Sequence, residues 1–148
     1  MENKTYILIL IDRIHATLYT VSEGMFEEFK RLGGQVDQNV KHGENTWDPQ
    51  DKLFRHSQEQ LHKFLTEVGK AVESYARLSH IDGIIIGSHK PLIPQVEKVF
   101  HPPFIQKVKG SFVTDLKIPF EEISKKAMKV IEQLEEAETE EQIQKSLS

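Results

Sequence analysis

The sequence predicts an α/β domain built on a mixed five-stranded sheet with helices on both faces. Three observations carry this. An Ile-rich apolar run, Tyr6–Ile11, is followed by two more strand-like segments joined by short turns. A long amphipathic segment then leads to a second wholly apolar run, Ile84-Ile85-Ile86. After that, strand and helix signals alternate, as parallel crossovers require.

Tyr6–Ile11 reads as a buried central strand. Asp12-Arg13 follows, and Ala16, Leu18 and Val21 interleave with Thr17, Tyr19 and Thr20 as a second strand. Ser22-Glu23-Gly24 is a turn in which Gly24 is free to take positive φ. Met25–Leu32 is the third strand, completing an antiparallel meander. Gly33 to Pro49 is polar and aperiodic, longer than most connections, and such loops often carry function. Asp48-Pro49 supplies an N-cap and a first-turn proline for a helix expected to reach about Leu78. Its stripe is Leu61, Phe64, Leu65, Val68, Val72, Tyr75 and Ala76. The Ile84–Ile86 strand ends in Gly87. Pro91–Phe100 reads as a second helix or a helical turn pair, interrupted by Pro94 and broken by Pro102-Pro103, with one more turn at Phe104–Val108. The last strand is expected over Gly110–Leu116, and a helix opened by Pro119 carries Phe120, Ile123, Ala127, Val130, Ile131 and Leu134 on one face. The order β-β-β-α-β-α-β-α is the ribonuclease H-like plan. Residues 1–135 form the expected domain, and residues 136–148 an acidic tail expected to fray.

Composition narrows the function classes. Of the 148 residues, 38% are hydrophobic and 28% charged, which suits a folded domain and not a disordered chain. With no cysteine, disulfides, thiolate-bound zinc and thiol nucleophiles are excluded. No apolar stretch approaches the ~20 residues needed to cross a bilayer, so no membrane partner is expected and a cytoplasmic location is. The net charge of −4 resides in residues 121–148, where 8 acids meet 4 bases; the rest of the chain is neutral and offers no broad basic field to nucleic acid. Any RNA contact must be local.

Several phrases, taken in order, resemble the central domain of the archaeal and eukaryotic class-I peptide-chain release factors and their bacterial release-factor-like and host-attachment-protein-like relatives. The hairpin LILIDRIHATLYTVSEGMFEEFKRL is similar to that family's opening. KHGENTWDPQDKLFRHSQEQLHKFLTEVGK is similar to its loop-to-long-helix junction. HIDGIIIGSHKPLI resembles its central strand segment, and HPPFIQKVKGSFVTDLKIPFEEI its last strand and helix. The resemblance spans roughly residues 5–135. It implies a partner in the ribosome or tRNA and, where the chemistry is kept, hydrolysis of the peptidyl-tRNA ester by a Gly-Gly-Gln tripeptide. Two glycines let backbone approach crowded RNA, and the glutamine region orients water and offers a donor to the oxyanion.

Gly33-Gly34-Gln35 supplies that tripeptide, and the resemblance makes these three the candidate catalytic residues. They precede Lys41-His42-Gly43, whereas the family's tripeptide follows the corresponding segment, so the position aligned with the motif is Glu44-Asn45-Thr46-Trp47. An ordinary Gly-Gly turn after a strand is the favoured reading. Candidate RNA contacts are Lys41, His42, Lys52 and Arg55 for phosphates, with Trp47 as a stacking platform. In the surrounding stretch 6 Lys and Arg meet 5 acids, so a solvated mixed-charge face is the favoured reading for any one of them, and a partly buried loop anchor the favoured reading for Trp47. A non-catalytic interaction module is the alternative function. A third is a metal nuclease holding divalent ions on Asp12 and Asp115 with Glu59 or Glu67; turn-capping roles for the two aspartates are the simpler reading. Gly87-Ser88-His89-Lys90 sits where α/β sheets bind ligands, yet also suits a plain strand-to-helix turn. His56 and His62 are spaced too far apart to bind one metal from a helix face, and no metal or cofactor is expected. The other domains of a release factor have no counterpart among these residues, so stop-codon reading is not expected.

Overall fold

A computed structural model describes residues 4–33 and 50–147. Strands β1 (Thr5–Ile11), β2 (His15–Ser22) and β3 (Met25–Gly33) form the meander. Helix α1 (Gln50–Leu78) leads to β4 (Gly83–Ser88), the short helix α2 (Ile93–Glu97), a 3₁₀ turn (Phe104–Lys107), β5 (Val108–Val113) and α3 (Phe120–Leu147). The sheet order is β3-β2-β1-β4-β5. β1 pairs antiparallel with β2, and β2 with β3. β4 lies parallel to β1, and β5 parallel to β4. This is the mixed five-stranded, ribonuclease H-like arrangement that the element order predicts.

Strand alternation divides the core. Ile7, Ile9, Ile11, Ala16, Leu18, Ile84 and Ile86 point to the face covered by Leu61, Leu65, Val68 and Val72 of α1 and Val96 of α2. Tyr6, Leu8, Leu10, Val21 and Ile85 point to the other, covered by Ile123, Ala127 and Ile131 of α3. β1 and β4 read as unbroken apolar runs because both of their faces are buried. β3 is an edge strand with mostly exposed residues, and its charged side chains discourage pairing with another chain. Between β2 and β3, Glu23 (φ 53°) and Gly24 (φ 77°) make a two-residue hairpin turn with both φ values positive, the primed geometry that matches strand twist.

Three boundaries differ from expectation. α2 spans only Ile93–Glu97, and Pro94 lies in its first turn, where a missing N–H costs no helical bond, instead of interrupting it. β5 is displaced towards the N-terminus, Val108–Val113 instead of Gly110–Leu116. Val108 pairs with Ile84 at its start. At its end Asp115 accepts the Lys117 N–H at 2.9 Å and turns the chain away. The acidic residues after Leu134 continue α3 to Leu147. Their sequence is rich in helix formers, and the helix is tied back to the sheet by the Lys4–Glu138 ion pair and by Tyr6 Oη donating to Glu135 at 3.5 Å.

Candidate functional site

β1, β4 and β5 run parallel and end together: Ile11 is level with Ser88, and Ser88 with Val113. The buried Ser88 hydroxyl donates to the Ile11 carbonyl at 2.5 Å, and the Thr114 N–H donates to the Ser88 carbonyl at 3.0 Å. β2 starts at this same edge and β3 finishes there, with Gly33 opposite His15. The carboxyl edge of a parallel sheet is where α/β folds place ligands.

The β1–β2 turn is pinned by Asp12. One carboxylate oxygen accepts the Ile14 N–H at 2.9 Å and the His15 N–H at 2.6 Å, an Asx turn, and lies 3.8 Å from His15 Nδ1. Gly33 packs onto this turn. Its φ is +92°, and a Cβ there would collide with the Ile14 carbonyl oxygen and stand 2.9 Å from the carbonyl carbon. Glycine at this position is therefore required by the backbone.

On the α3 face of the edge is an open groove of about 580 Å³. Asp12, Ile14, His15 and Thr17 line one side, and Lys117 and Phe120 the other. Tyr19, also in the lining, stacks at a tilt on Phe120, with ring centres 5.0 Å apart, and Phe26 meets Phe120 edge-on at 5.5 Å. Burial raises the Tyr19 hydroxyl pKa, and the Glu28 charge adds to this against an opposing effect of Arg31. Periodicity could have put Thr17 and Tyr19 on one face of β2; it could not bring them to residues a hundred positions away.

A second groove, between α1 and α2, is lined by Gln58, His62, Thr66, Lys98 and His101 among others. Beside it Glu73, 4% exposed, accepts the His101 N–H at 2.8 Å and lies 3.8 Å from Arg77, which packs over the Phe104 ring at 5.2 Å. This buried carboxylate holds the chain between α2 and β5 against α1.

The structure places Gly33 in the β3 ladder, at the edge described above. Gly34, Gln35, Lys41, His42 and Trp47 lie outside the described residues. Lys52 and Arg55 belong to the first turns of α1, ahead of Leu61, the first buried residue among those described in this helix; their side chains lie outside the described residues. Asp12 and Asp115 each bind backbone N–H groups of their own turns. Among the described residues no three His, Asp or Glu side chains are grouped to hold a metal ion, so the carboxylate cluster of a two-metal nuclease is not assembled there.

The sequence matches the model of the bacterial archaeo-eukaryotic release factor family 10 over residues 1–139. The chain belongs to this family. No curated protein matches it significantly. Among solved structures, release factor family 10 architecture is similar to the archaeal translation termination factor aRF1, with a TM-score of 0.55, 13% identity, and coverage of 88% of this chain and 40% of that one. It is similar also to Archaeoglobus fulgidus Pelota, with a TM-score of 0.56, 15% identity, and coverage of 97% of this chain and 38% of that one. The chain therefore spans about two fifths of either structure, and the likeness is one of fold. Among the described residues of this release-factor-like domain, no helix is long and apolar enough to cross a membrane.

Proposed function

We propose that this release factor family 10 domain works in translation as a ribosome-associated module, meeting tRNA or ribosomal RNA through the carboxyl edge of its sheet. The observation that carries the reading is the position of Gly33. It ends β3 on that edge, so the segment bearing Lys41, His42 and Trp47 departs from there, and α1 with Lys52 and Arg55 follows directly. At 1.5 Å per residue the 29-residue α1 is about 43 Å long, against about 23 Å for the 7 residues of β1, so the helix is longer than the central strand it packs on. Cations there contact phosphates, and Trp47 stacks on a base.

The catalytic form of this proposal makes Gly33-Gly34-Gln35 a peptidyl-tRNA hydrolase site, with Gln35 orienting water. The binding form keeps the fold and gives the tripeptide a turn role. The binding form is the better supported, because the φ of Gly33 and its approach to Ile14 already require a glycine there. The deciding experiment measures sedimentation with ribosomes, and release of labelled peptide from peptidyl-tRNA, for the wild type and Gln35→Ala. Sedimentation without release is expected. Release that disappears in Gln35→Ala would establish the catalytic form, and failure to sediment would overturn ribosome association.

A further inference from the structure

We propose that the groove between the β1–β2 turn and the start of α3 binds one unstacked nucleotide of single-stranded RNA, its base against Phe120 and Tyr19 and its phosphate against Lys117 and His15. The choice of RNA as ligand rests on the ribosome-associated reading; the groove's chemistry stands independently of it.

Size and lining both fit. At about 580 Å³ the groove falls within the ~300–1,000 Å³ of small-ligand sites. Phe120 leaves 38% of its surface exposed despite its contacts with Tyr19 and Phe26, so part of an aromatic side chain remains open to the groove. Bases of any identity stack on such a surface. The Lys117 backbone is held by Asp115, and its ammonium group has no partner among the described residues. His15 is 56% exposed and held near Asp12. Asp12 is the one acid in the lining, and its oxygen Oδ1 already accepts two backbone N–H groups. Thr17 adds a hydroxyl suited to a ribose or base edge.

Two other concave surfaces suit this ligand less, while a third, lined by Phe26, Lys125 and Lys129, also carries Glu132 and lies away from the end of β3. The α3 surface lined by Glu132, Glu135, Glu136 and Glu140 repels phosphate. The α1–α2 groove has Lys98 and two histidines but no Phe, Tyr or Trp in its lining. Position supports the same choice: His15 lines the groove and pairs with Gly33, so the groove borders the point where the chain leaves β3.

The test titrates a short single-stranded oligoribonucleotide of mixed sequence into the full chain and follows backbone amide chemical shifts. Perturbations are expected at His15, Tyr19, Lys117 and Phe120. Lys117→Glu, an exposed change that leaves packing intact, is expected to weaken binding severalfold and to lower the slope of log affinity against log salt by about one. Phe120→Leu keeps an apolar anchor for α3 while removing the aromatic face, and is expected to weaken binding without altering the salt slope. Shifts confined to other surfaces, or affinities unchanged in both variants, would overturn the proposal. So would preferential occupation of the groove by an apolar peptide. Ribosome sedimentation by the wild type with no oligonucleotide shifts in the groove would overturn the groove alone. Groove-dependent RNA binding without sedimentation would overturn the ribosome reading and uphold the groove.

Discussion

Gly33 closes β3 directly over the carbonyl of Ile14, with a positive φ and no room for a side chain. One residue thus joins the hairpin edge to the turn that Asp12 organises. Gly33→Ala meets both backbone strain and a collision with main-chain atoms that cannot swing aside. A loss of roughly 2–4 kcal/mol is expected. Gly24→Ala is the control, since its φ is +77° but nothing lies within 4 Å of the added Cβ. It should lose only about 1 kcal/mol, from the backbone conformation alone. Urea midpoints of the two variants separate these effects. Equal losses would mean that the contact with Ile14 carries no weight.

Tyr6 gives a pH signature. Burial first, then the charges of Glu135 and Asp82 and the bond to Glu135, push its hydroxyl up from 10.0 to about 12. A raised folded pKa means that the protonated phenol contributes stability below pH 10, and that this is lost as pH rises towards 12. Tyrosinate absorbance should show one group titrating well after the exposed tyrosine range, and Glu135→Gln should bring it down. The alkaline limb of stability should begin at lower pH in the wild type than in Tyr6→Phe. A Tyr6 that titrates normally would contradict the burial and the Glu135 contact together.

Glu73 is expected to matter for stability more than for binding. It is 4% exposed and accepts the His101 N–H at 2.8 Å. Glu73→Ala leaves that N–H without its acceptor and removes packing from the α1 face, so a loss of about 2–3 kcal/mol is expected. Glu73→Gln keeps an oxygen for the N–H and should lose about 1 kcal/mol. If thermal melting gave the two variants the same stability, the bond to His101 would have no special role.

Much of this architecture is legible in the sequence because its signals are local. The run Tyr6–Ile11 and the helical stripe from Leu61 to Val72 report burial through spacing alone. What was not legible depends on distant partners. Residues after Leu134 look like a solvated tail until Lys4 and Tyr6, at the other end of the chain, are seen to hold them. The start of β5 is set by pairing with Ile84 and not by its own composition. The groove joins His15 and Tyr19 to Lys117 and Phe120, a juxtaposition that only the sheet order creates. For the tripeptide the sequence offered the residue types, and the ladder position of Gly33 adds a structural demand that spacing could not reveal.

Asp82 links the starts of β1 and β4. Its carboxylate accepts the Thr5 N–H at 2.9 Å and meets His80 Nε2 at 3.1 Å, while its own N–H donates to the Thr5 carbonyl at 2.8 Å. Burial opposes the charged form, but the Thr5 bond, the His80 bond and the charges of His80 and Lys4 outweigh it and hold the pKa below the usual carboxylate range. A depressed folded pKa contributes stability above the unfolded value, and that contribution is lost as pH falls through the folded one. Asp82→Asn keeps an acceptor for Thr5 but removes the charge. It is expected to lose about 1 kcal/mol at neutral pH, with the difference from wild type shrinking as pH falls into the acid limb. His80→Ala removes the side-chain partner 3.1 Å from the Asp82 carboxylate and should reproduce part of the neutral-pH loss. Urea unfolding of the three proteins across acid, neutral and mildly alkaline pH reads all of this out. A constant difference between Asp82→Asn and wild type at every pH would mean that Asp82 acts through shape and hydrogen bonding alone, and that its charge does not secure the two parallel strands at their shared origin.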